Sequence, residues 1–490
     1  MQQLKLYNSL TRQISTFSPI HPNQVGIYIC GPTVYGYPHL GHVRGPIVFD
    51  VLHRYLKHLG YKVRLVRNIT DVGHLINDAD DGEDKIAKRA KLEQLEPMEV
   101  AHYYTMAYHE MIEKLNVLPA SIEPRASGHI IEQIEMIQQI IANGYAYEKN
   151  GSVYFDVLKY NKNNNYGELS GRKIEELIAG AGNESRALEG QDEKKSPNDF
   201  ALWKKAGSEH IMQWNSPWGM GFPGWHIECS AMSKKYLGNQ FDIHGGGMDL
   251  LFPHHESEIA QSMACNNTTP AKLWMHHNMV TINGQKMAKS LNNGISVKEF
   301  FSGTHPLLNK AYSANTLKFF ILQAHYRGTL DFSNDALLAA EKGLARLIAG
   351  FKNISNLPIS SNTSIPLNSI YDACYEALNE DLNTPIVISH LFELVSHINQ
   401  IAIGKETITE TDRNELGNFF YTLIFDILGL EQSEDANPEI LNKTISLLLN
   451  IRQEAKLNKN YALADEIRNE LLKIGIEIKD SKEGITFNII

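Results

Sequence analysis

The chain has 490 residues, 43% hydrophobic and 21% charged, with 56 Asp and Glu against 46 Lys and Arg for a formal net charge of −10. These values exclude a mostly disordered chain and predict a multidomain globular protein of about three domains. With no run of about 18 apolar residues, no secretory signal in MQQLKLYNSL and four cysteines, too few for a disulfide framework, a soluble cytoplasmic protein is expected.

In chain order, 25–30 is a short apolar strand followed by the loop GPTVYGYPHLGH. Ile47, Val48, Val51, Leu52, Tyr55, Leu56 and Leu59 then recur at helical spacing, and Gly60 falls where a helix-ending glycine belongs. Pro46 predicts a break or kink near the start. Residues 62–68 alternate like a strand and complete a parallel crossover unit. Residues 126–225 read as an insertion. Within it Ile130, Ile134, Ile137 and Ile141 mark a helix ending at Asn143-Gly144, 145–156 reads as a hairpin, and 180–198 as a polar, Gly-rich loop. The α/β pattern returns with a strand at 240–248 that runs into Gly245-Gly246-Gly247. Pro253 falls at the first position of a helix over HHESEIAQSMA. MHHNMVTI reads as one strand before a turn at Asn283-Gly284. From about 310 to 430 the pattern is helical except for a polar loop at 356–366, and a linker at 431–439 precedes a small C-terminal unit.

Three constellations carry chemistry. His39 and His42, in HLGH after the first strand, lie three apart on a helical first turn and face the same way. A helix start favours anions, so the pair fits a clamp on a nucleotide triphosphate; it fits two surface or capping histidines as well. Lys286 and Lys289 in KMAKS can bracket a leaving pyrophosphate as mobile point charges, or be ordinary solvated lysines. Cys30, Cys229, His254 and Glu258 are all zinc ligand types, with His254 and Glu258 four apart on one predicted helix face. The alternative there is a set of inert buried cysteines, which is how Cys265 and Cys374 read.

The order and context of HLGH and KMAKS resemble the HIGH and KMSKS signatures of class I aminoacyl-tRNA synthetases. Longer strings narrow the resemblance to the cysteinyl-tRNA synthetase family: CGPTVYGYPHLGH, GWHIECSAMS, FDIHGGGMDLLFPHHESEIAQS, NITD at 68–71, IEPRASGHI at 122–130, NDFALWKKA at 198–206 and ALADEIRNELLKIGIEIKD at 462–480. Together they span nearly the whole chain. The resemblance implies an α/β Rossmann-type catalytic core with a parallel sheet (1–125 and 226–310), interrupted by a connective insertion (126–225). An α-helical bundle (311–430) and an anticodon-recognition domain (440–490) follow. One zinc ion per chain is implied on Cys30, Cys229, His254 and Glu258, there to take the substrate's thiolate, with the weak carboxylate Glu258 the ligand expected to yield. Serine differs from cysteine by one atom, which a pocket measuring size separates poorly, whereas a thiolate is a far better zinc ligand than a hydroxyl. An editing domain then becomes unnecessary.

The resemblance further implies Gly31, Thr70, Trp225 and His244 around the amino acid, and His39, His42, Gly247, Asp249 and Lys289 on ATP, with Mg2+ accompanying the nucleotide. His39, His42, Lys286 and Lys289 are the implied catalytic groups. The implied partners are ATP, L-cysteine and tRNA(Cys), with no membrane and a monomeric chain. Ala288 and Asn292, where the family has KMSKS-LGN, read as tuning the lysine loop. Phe487, in GITF where the family has GTxW, is the implied anticodon contact. Eight Lys and Arg face seven Asp and Glu over 443–490, a relative enrichment and not a strong basic patch. A related ligase that joins cysteine to an aminosugar lacks the last domain. A non-catalytic paralogue would be expected to have lost the histidines, lysines or zinc ligands.

Overall fold

Four parallel strands form the central sheet, in the order Ala271–His277, Phe241–Gly247, Gln24–Ile29, Lys62–Arg67. Ile27 faces Ile243 on one side and Leu65 on the other. The strand Phe241–Gly247 is buried at every position, as a parallel strand covered on both faces must be. In this computed structural model residues 3–72, 85–93, 95–174, 193–207, 210–287, 293–432, 438–481 and 484–489 are described. They separate into two compact units, Met1–Leu430 and Glu431–Ile490.

From Ile29 the chain passes through the helix Arg44–His58 to Lys62–Arg67 on one side of the sheet. After the insertion it returns to Phe241–Gly247 on the other. The strand order therefore reverses between Gln24–Ile29 and Phe241–Gly247, and ligands of open α/β sheets bind at the carboxyl ends beside such a reversal. The helix forms on the predicted stripe, with Ile47, Val48, Val51, Leu52, Tyr55 and Leu56 buried, and Gly60 follows it at φ 90°. Pro46 neither breaks nor kinks it. It is the third helical residue, where the missing N–H removes no intrahelical bond.

The insertion holds the helix Ile130–Ala142 and a five-stranded antiparallel sheet in the order Ala146–Lys149, Ser152–Phe155, Phe200–Lys205, Gly219–Pro223, Trp214–Ser216. Its separate core includes Ile137, Ile140, Val153, Phe155, Leu202 and Trp203. Only the first hairpin of this sheet was legible in sequence. Of the loop expected at 180–198, residues 180–192 lie outside the described residues.

Three further expectations are corrected. MHHNMVTI is two strands in different sheets. Ala271–His277 belongs to the core, whereas Val280–Ile282 pairs with Gln285–Lys286 and, in parallel, with Leu330–Phe332. Leu330–Phe332 lies inside the stretch read as helical, and at three residues it is too short to show a period of two. Pro253 does not open a helix, because Phe252 is extended (φ −143°, ψ 134°) and the regular helix is Glu256–Asn266.

The helices Ala314–Leu322, Asn334–Asn353, Leu367–Asn379, Thr384–Ala402 and Glu410–Tyr421 share one hydrophobic core with the sheet and the helix Arg44–His58. Lys318 ties the first of these helices to the helix Arg44–His58. Its buried ammonium lies 2.9 Å from Asp50 and 3.1 Å from the carbonyls of both Leu115 and Asn116. In the second unit the helices Pro438–Leu457 and Tyr461–Lys473 pack on the hairpin Ile476–Ser481/Gly484–Ile489. The core there is Ile445, Leu449, Leu471, Ile476 and Ile478, and Phe487 packs against it.

Burial holds His53 at a pKa of about 4 and His276 at about 3, below the ordinary imidazole value. Both are neutral in the folded chain at pH 6, where an unfolded histidine (pKa about 6.5) is mostly protonated. The folded state therefore binds fewer protons. Its stability is greatest above pH 6.5 and falls as pH drops through 6 and 5. Thermal unfolding from pH 7.5 to 4.5 is expected to show a steady fall in Tm that His53→Gln makes shallower.

Candidate active site and metal centre

A cavity of about 280 Å³ opens at this reversal of strand order, lined among others by Cys30, Gly31, His42, Trp225, Gly247 and Asp249. The backbone N–H of Cys30 donates to the Gly245 carbonyl (3.2 Å), which carries the sheet to its last residue there. Gly31 has to be glycine, since a Cβ would lie 1.6 Å from the Asn68 carbonyl. The three glycines 245–247 are explained mainly by the protein itself. Added Cβ atoms would meet the Phe49 ring (2.3 Å), the His255 ring (2.6 Å) and the Asp249 carboxylate (2.3 Å).

His39 caps and His42 ends a single 3-10 turn, Leu40–His42, just ahead of the helix Arg44–His58. Their rings lie 3.8 Å apart, so they do face the same way. They also cap the turn: His39 Nδ1 accepts from the Gly41 N–H and His42 Nδ1 from the His39 N–H, both at 3.1 Å. The capping and anion-clamp readings are thus compatible, one using Nδ1 and the other the far edge of each ring. Both ends of the lysine loop meet this turn. Before the loop, Met287 Cε reaches to 2.9 Å of a Cβ built on Gly41. After it, Leu40 N–H donates to the Ile295 carbonyl (3.0 Å) and Val297 N–H to the Pro38 carbonyl (2.9 Å). Lys286 ends the strand Gln285–Lys286, whereas Lys289, Ala288 and Asn292 lie outside the described residues.

Behind Cys30 sit the other three candidate ligands. In a tetrahedral zinc site with Zn–S of about 2.3 Å and Zn–N or Zn–O of about 2.0–2.2 Å, ligand atoms lie about 3.8 Å (S···S), 3.6 Å (S···O) and 3.4 Å (N···O) apart. The observed separations are 3.8 Å for Cys30 Sγ to Cys229 Sγ, 3.7 Å for Cys30 Sγ to Glu258 Oε1 and 3.2 Å for His254 Nε2 to Glu258 Oε1. The four side chains fit a metal ion, and all their donor atoms lie within 4.8 Å of one another. His254 is a residue before the N-cap of Glu256–Asn266, so the pair meets across a helix start and not along a helix face.

A second grouping, Cys30, His244, His255 and Glu258, shares two of these residues. It contains a hydrogen bond, His244 Nε2 to Glu258 Oε2 at 2.8 Å, too short for two ligands of one ion. His244 is thereby an orienting partner of Glu258, stacked on Trp274 (4.5 Å, 16°). His226 likewise meets His254, Nδ1 to Nδ1 at 2.8 Å. His255 lies 3.3 Å from Cys30 Sγ and continues through His276 to Ser9, each step 2.8 Å. Burial first, then Cys229 and Glu258, hold the Cys30 thiol well above its ordinary pKa, and burial also raises Cys229. A bound divalent cation is the counter-charge that would release both protons.

Of the residues expected around the amino acid, Gly31 and Trp225 line the cavity. Thr70 and His244 are buried behind it. Thr70 Oγ1 donates to the buried Glu228 (2.9 Å) and accepts from Asn68 (3.1 Å), whose amide oxygen also takes the Gly31 N–H (2.9 Å). Sequence reading missed Asn68, Glu228, His226, His255 and His276. Their only signal was adjacency to the motif residues, which does not say which way a side chain turns.

Residues 16–342 match the family model described as tRNA synthetases class I (C) catalytic domain, and residues 373–432 match the DALR domain. The fold is also that of the methionyl-tRNA synthetase of Mycobacterium tuberculosis solved with methionyl-adenylate. That structure superposes with a TM-score of 0.58 at 14% identity, covering 87% of this chain and 94% of its own. A parallel sheet that reverses at a cleft lined by Gly41 and His42 of HLGH, under a class I catalytic-domain match over 16–342, defines a class I aminoacyl-tRNA synthetase. The chain is 58% identical over 99% of both lengths to the cysteine–tRNA ligase of Bacteroides fragilis. It is 46% identical over its whole length, and 99% of the relative's, to that of Chlorobaculum tepidum. It belongs to the cysteine–tRNA ligase family.

Proposed function

We propose the following roles for the chain's residues in the ligase reaction of this family, which consumes ATP, L-cysteine and tRNA(Cys) and yields AMP, pyrophosphate and cysteinyl-tRNA. The cysteine carboxylate attacks the α-phosphorus of ATP, and the bond to the bridging oxygen breaks with its electron pair going to pyrophosphate. The terminal ribose hydroxyl of the tRNA then attacks the cysteinyl carbonyl, and AMP leaves. No protein nucleophile takes part, so the chain contributes positioning and charge stabilisation. His39 and His42 present the outer edges of their rings to the phosphates, Gly247 and Asp249 border the nucleotide, and Mg2+ accompanies ATP. Lys286 and Lys289 balance the charge of the departing pyrophosphate.

Gly31 and Trp225 wall the amino-acid pocket, while Thr70 and His244 hold that wall from behind. Zinc held by Cys30, Cys229, His254 and Glu258 would supply a Lewis acid that keeps a thiol ionised and leaves the hydroxyl of serine protonated. The unit from residue 440 onward is assigned to reading the anticodon, with Phe487 as a stacking contact, in a cytoplasmic monomer. The observation that carries this reading is the match of the three donor separations to those of a tetrahedral site, beside the cavity that His42 also lines.

The test is ATP-dependent charging of tRNA(Cys) with cysteine and with serine, before and after chelation. Cysteine charging that collapses on chelation and recovers with zinc is expected, with serine uncharged throughout. Undiminished cysteine charging by fully metal-free protein would overturn the role given to the four ligands. Activation without transfer to RNA would overturn the tRNA assignment.

A further inference from the structure

Arg44 stands two residues after His42, as the first residue of the helix Arg44–His58, and it is fully buried. Its guanidinium is held by four backbone carbonyls. Nη1 donates to Asn278 (3.0 Å) and Met279 (2.8 Å), and Nη2 to His325 (3.0 Å) and Gly328 (2.6 Å). These carbonyls have definite places in the fold. Asn278 and Met279 lead into Val280–Ile282, the strand that turns at Asn283-Gly284 and delivers the chain to Lys286. His325 and Gly328 belong to the turn before Leu330–Phe332, the parallel partner of that strand. One rigid planar fork thus joins the start of the helix that follows the histidine-bearing turn to the roots of the strand leading to Lys286 and of its parallel partner. Lysine, a point donor on a flexible stem, could not reach all four carbonyls.

The far side of the same turn is also clamped. Asp381 accepts from Tyr326 Oη and Arg327 Nε, both at 2.6 Å, and its own carbonyl lies 3.1 Å from His325 Nε2. Asp381 and Leu382 both have left-handed backbones, φ 61° and 53°, a strain that surrounding structure has to hold in place.

We infer that Arg44 is a positioning residue for the adenylation step, setting the register between the His39–His42 turn and the strand that carries the lysine loop. The inference rests on the reading of His39, His42 and the lysines as catalytic groups. A displacement of about 1 Å between groups acting on one transition state costs about 100-fold in rate. A slackened register should therefore be felt in kcat more than in the KM for cysteine, because Gly31, Thr70, Trp225 and His244, the residues assigned to the amino acid, all lie off the helix Arg44–His58.

The experiment measures cysteine-dependent ATP–pyrophosphate exchange by the full-length, zinc-loaded chain carrying Arg44→Lys, Arg44→Met or Asp381→Asn, with His42→Ala alongside. Arg44→Lys is expected to lower kcat by about 10- to 100-fold, Arg44→Met further, and Asp381→Asn by less. In all three the KM for cysteine should stay within about twofold and the metal content should be unchanged. A folded Arg44→Lys with unchanged kcat, or with KM for cysteine raised in step with any loss, would reduce Arg44 to a structural residue. Should the Arg44 variants not fold, Asp381→Asn decides: a kcat equal to that of the parent overturns the inference. His42→Ala reports separately on the underlying reading, since full activity there would fault the catalytic assignment and not the register.

Discussion

Cys229→Ser is expected to lose the metal and the selective activation of cysteine together. Cys229 is buried, and its sulfur lies 3.8 Å from that of Cys30, the separation a shared tetrahedral ion requires. A serine hydroxyl is a neutral, hard donor and does not replace a thiolate, so metal affinity should fall by more than about 100-fold, beyond the loss typical of an outer-shell change. Cysteine activation should fall with it, and the ratio of cysteine to serine activation should contract towards the small value that size alone allows. Metal content by atomic absorption and pyrophosphate exchange with both amino acids check the two halves. Cys265→Ser, a buried thiol beside Lys234, should change neither. Full metal occupancy in Cys229→Ser would remove this residue from the ligand set.

The second large effect is expected from His42→Ala, which should lower kcat for adenylate formation by about 100- to 1000-fold, the usual loss on removing one preorganised donor from a developing charge. His42 lines the cavity, and its Nδ1 is taken by the His39 N–H, so its remaining nitrogen is the one available to a phosphate. Truncation also uncaps the turn, which would lower stability independently. The two effects separate by measurement. A catalytic loss appears at saturating ATP and cysteine in protein with parental metal content, whereas a capping loss appears in Tm. His42→Asn, which keeps a side-chain acceptor for the His39 N–H, should recover Tm and little of the rate.

Much of the fold could be read directly because period and punctuation were strong. The helix Arg44–His58 followed its apolar stripe and stopped at Gly60, and the strands Gln24–Ile29 and Lys62–Arg67 were apolar or alternating runs of ordinary length. Pro46 was misjudged because the helix begins at Arg44, earlier than the first apolar position, which places proline where it is tolerated. MHHNMVTI was misjudged for another reason. A break between two sheets at His277–Val280 leaves no mark on hydrophobicity, since residues on both sides are buried.

By itself the sequence determined the α/β class, the two signature segments and the identity of the four candidate ligands, because residue type and local spacing carry that information. Only the tertiary structure decided which atoms meet. It set His244 aside as a candidate ligand through its 2.8 Å hydrogen bond to Glu258, and brought His254 to 3.2 Å from Glu258 and His255 to 3.3 Å from Cys30. It also gave the glycines 245–247 an intramolecular reason and joined Arg44 to carbonyls at 278, 279, 325 and 328. The Arg44 contacts link residues more than 230 positions apart, and even the nearer pairs depend on which way a side chain turns. Side-chain direction and long-range register are fixed by packing around a common core, and one-dimensional periodicity has no term for either.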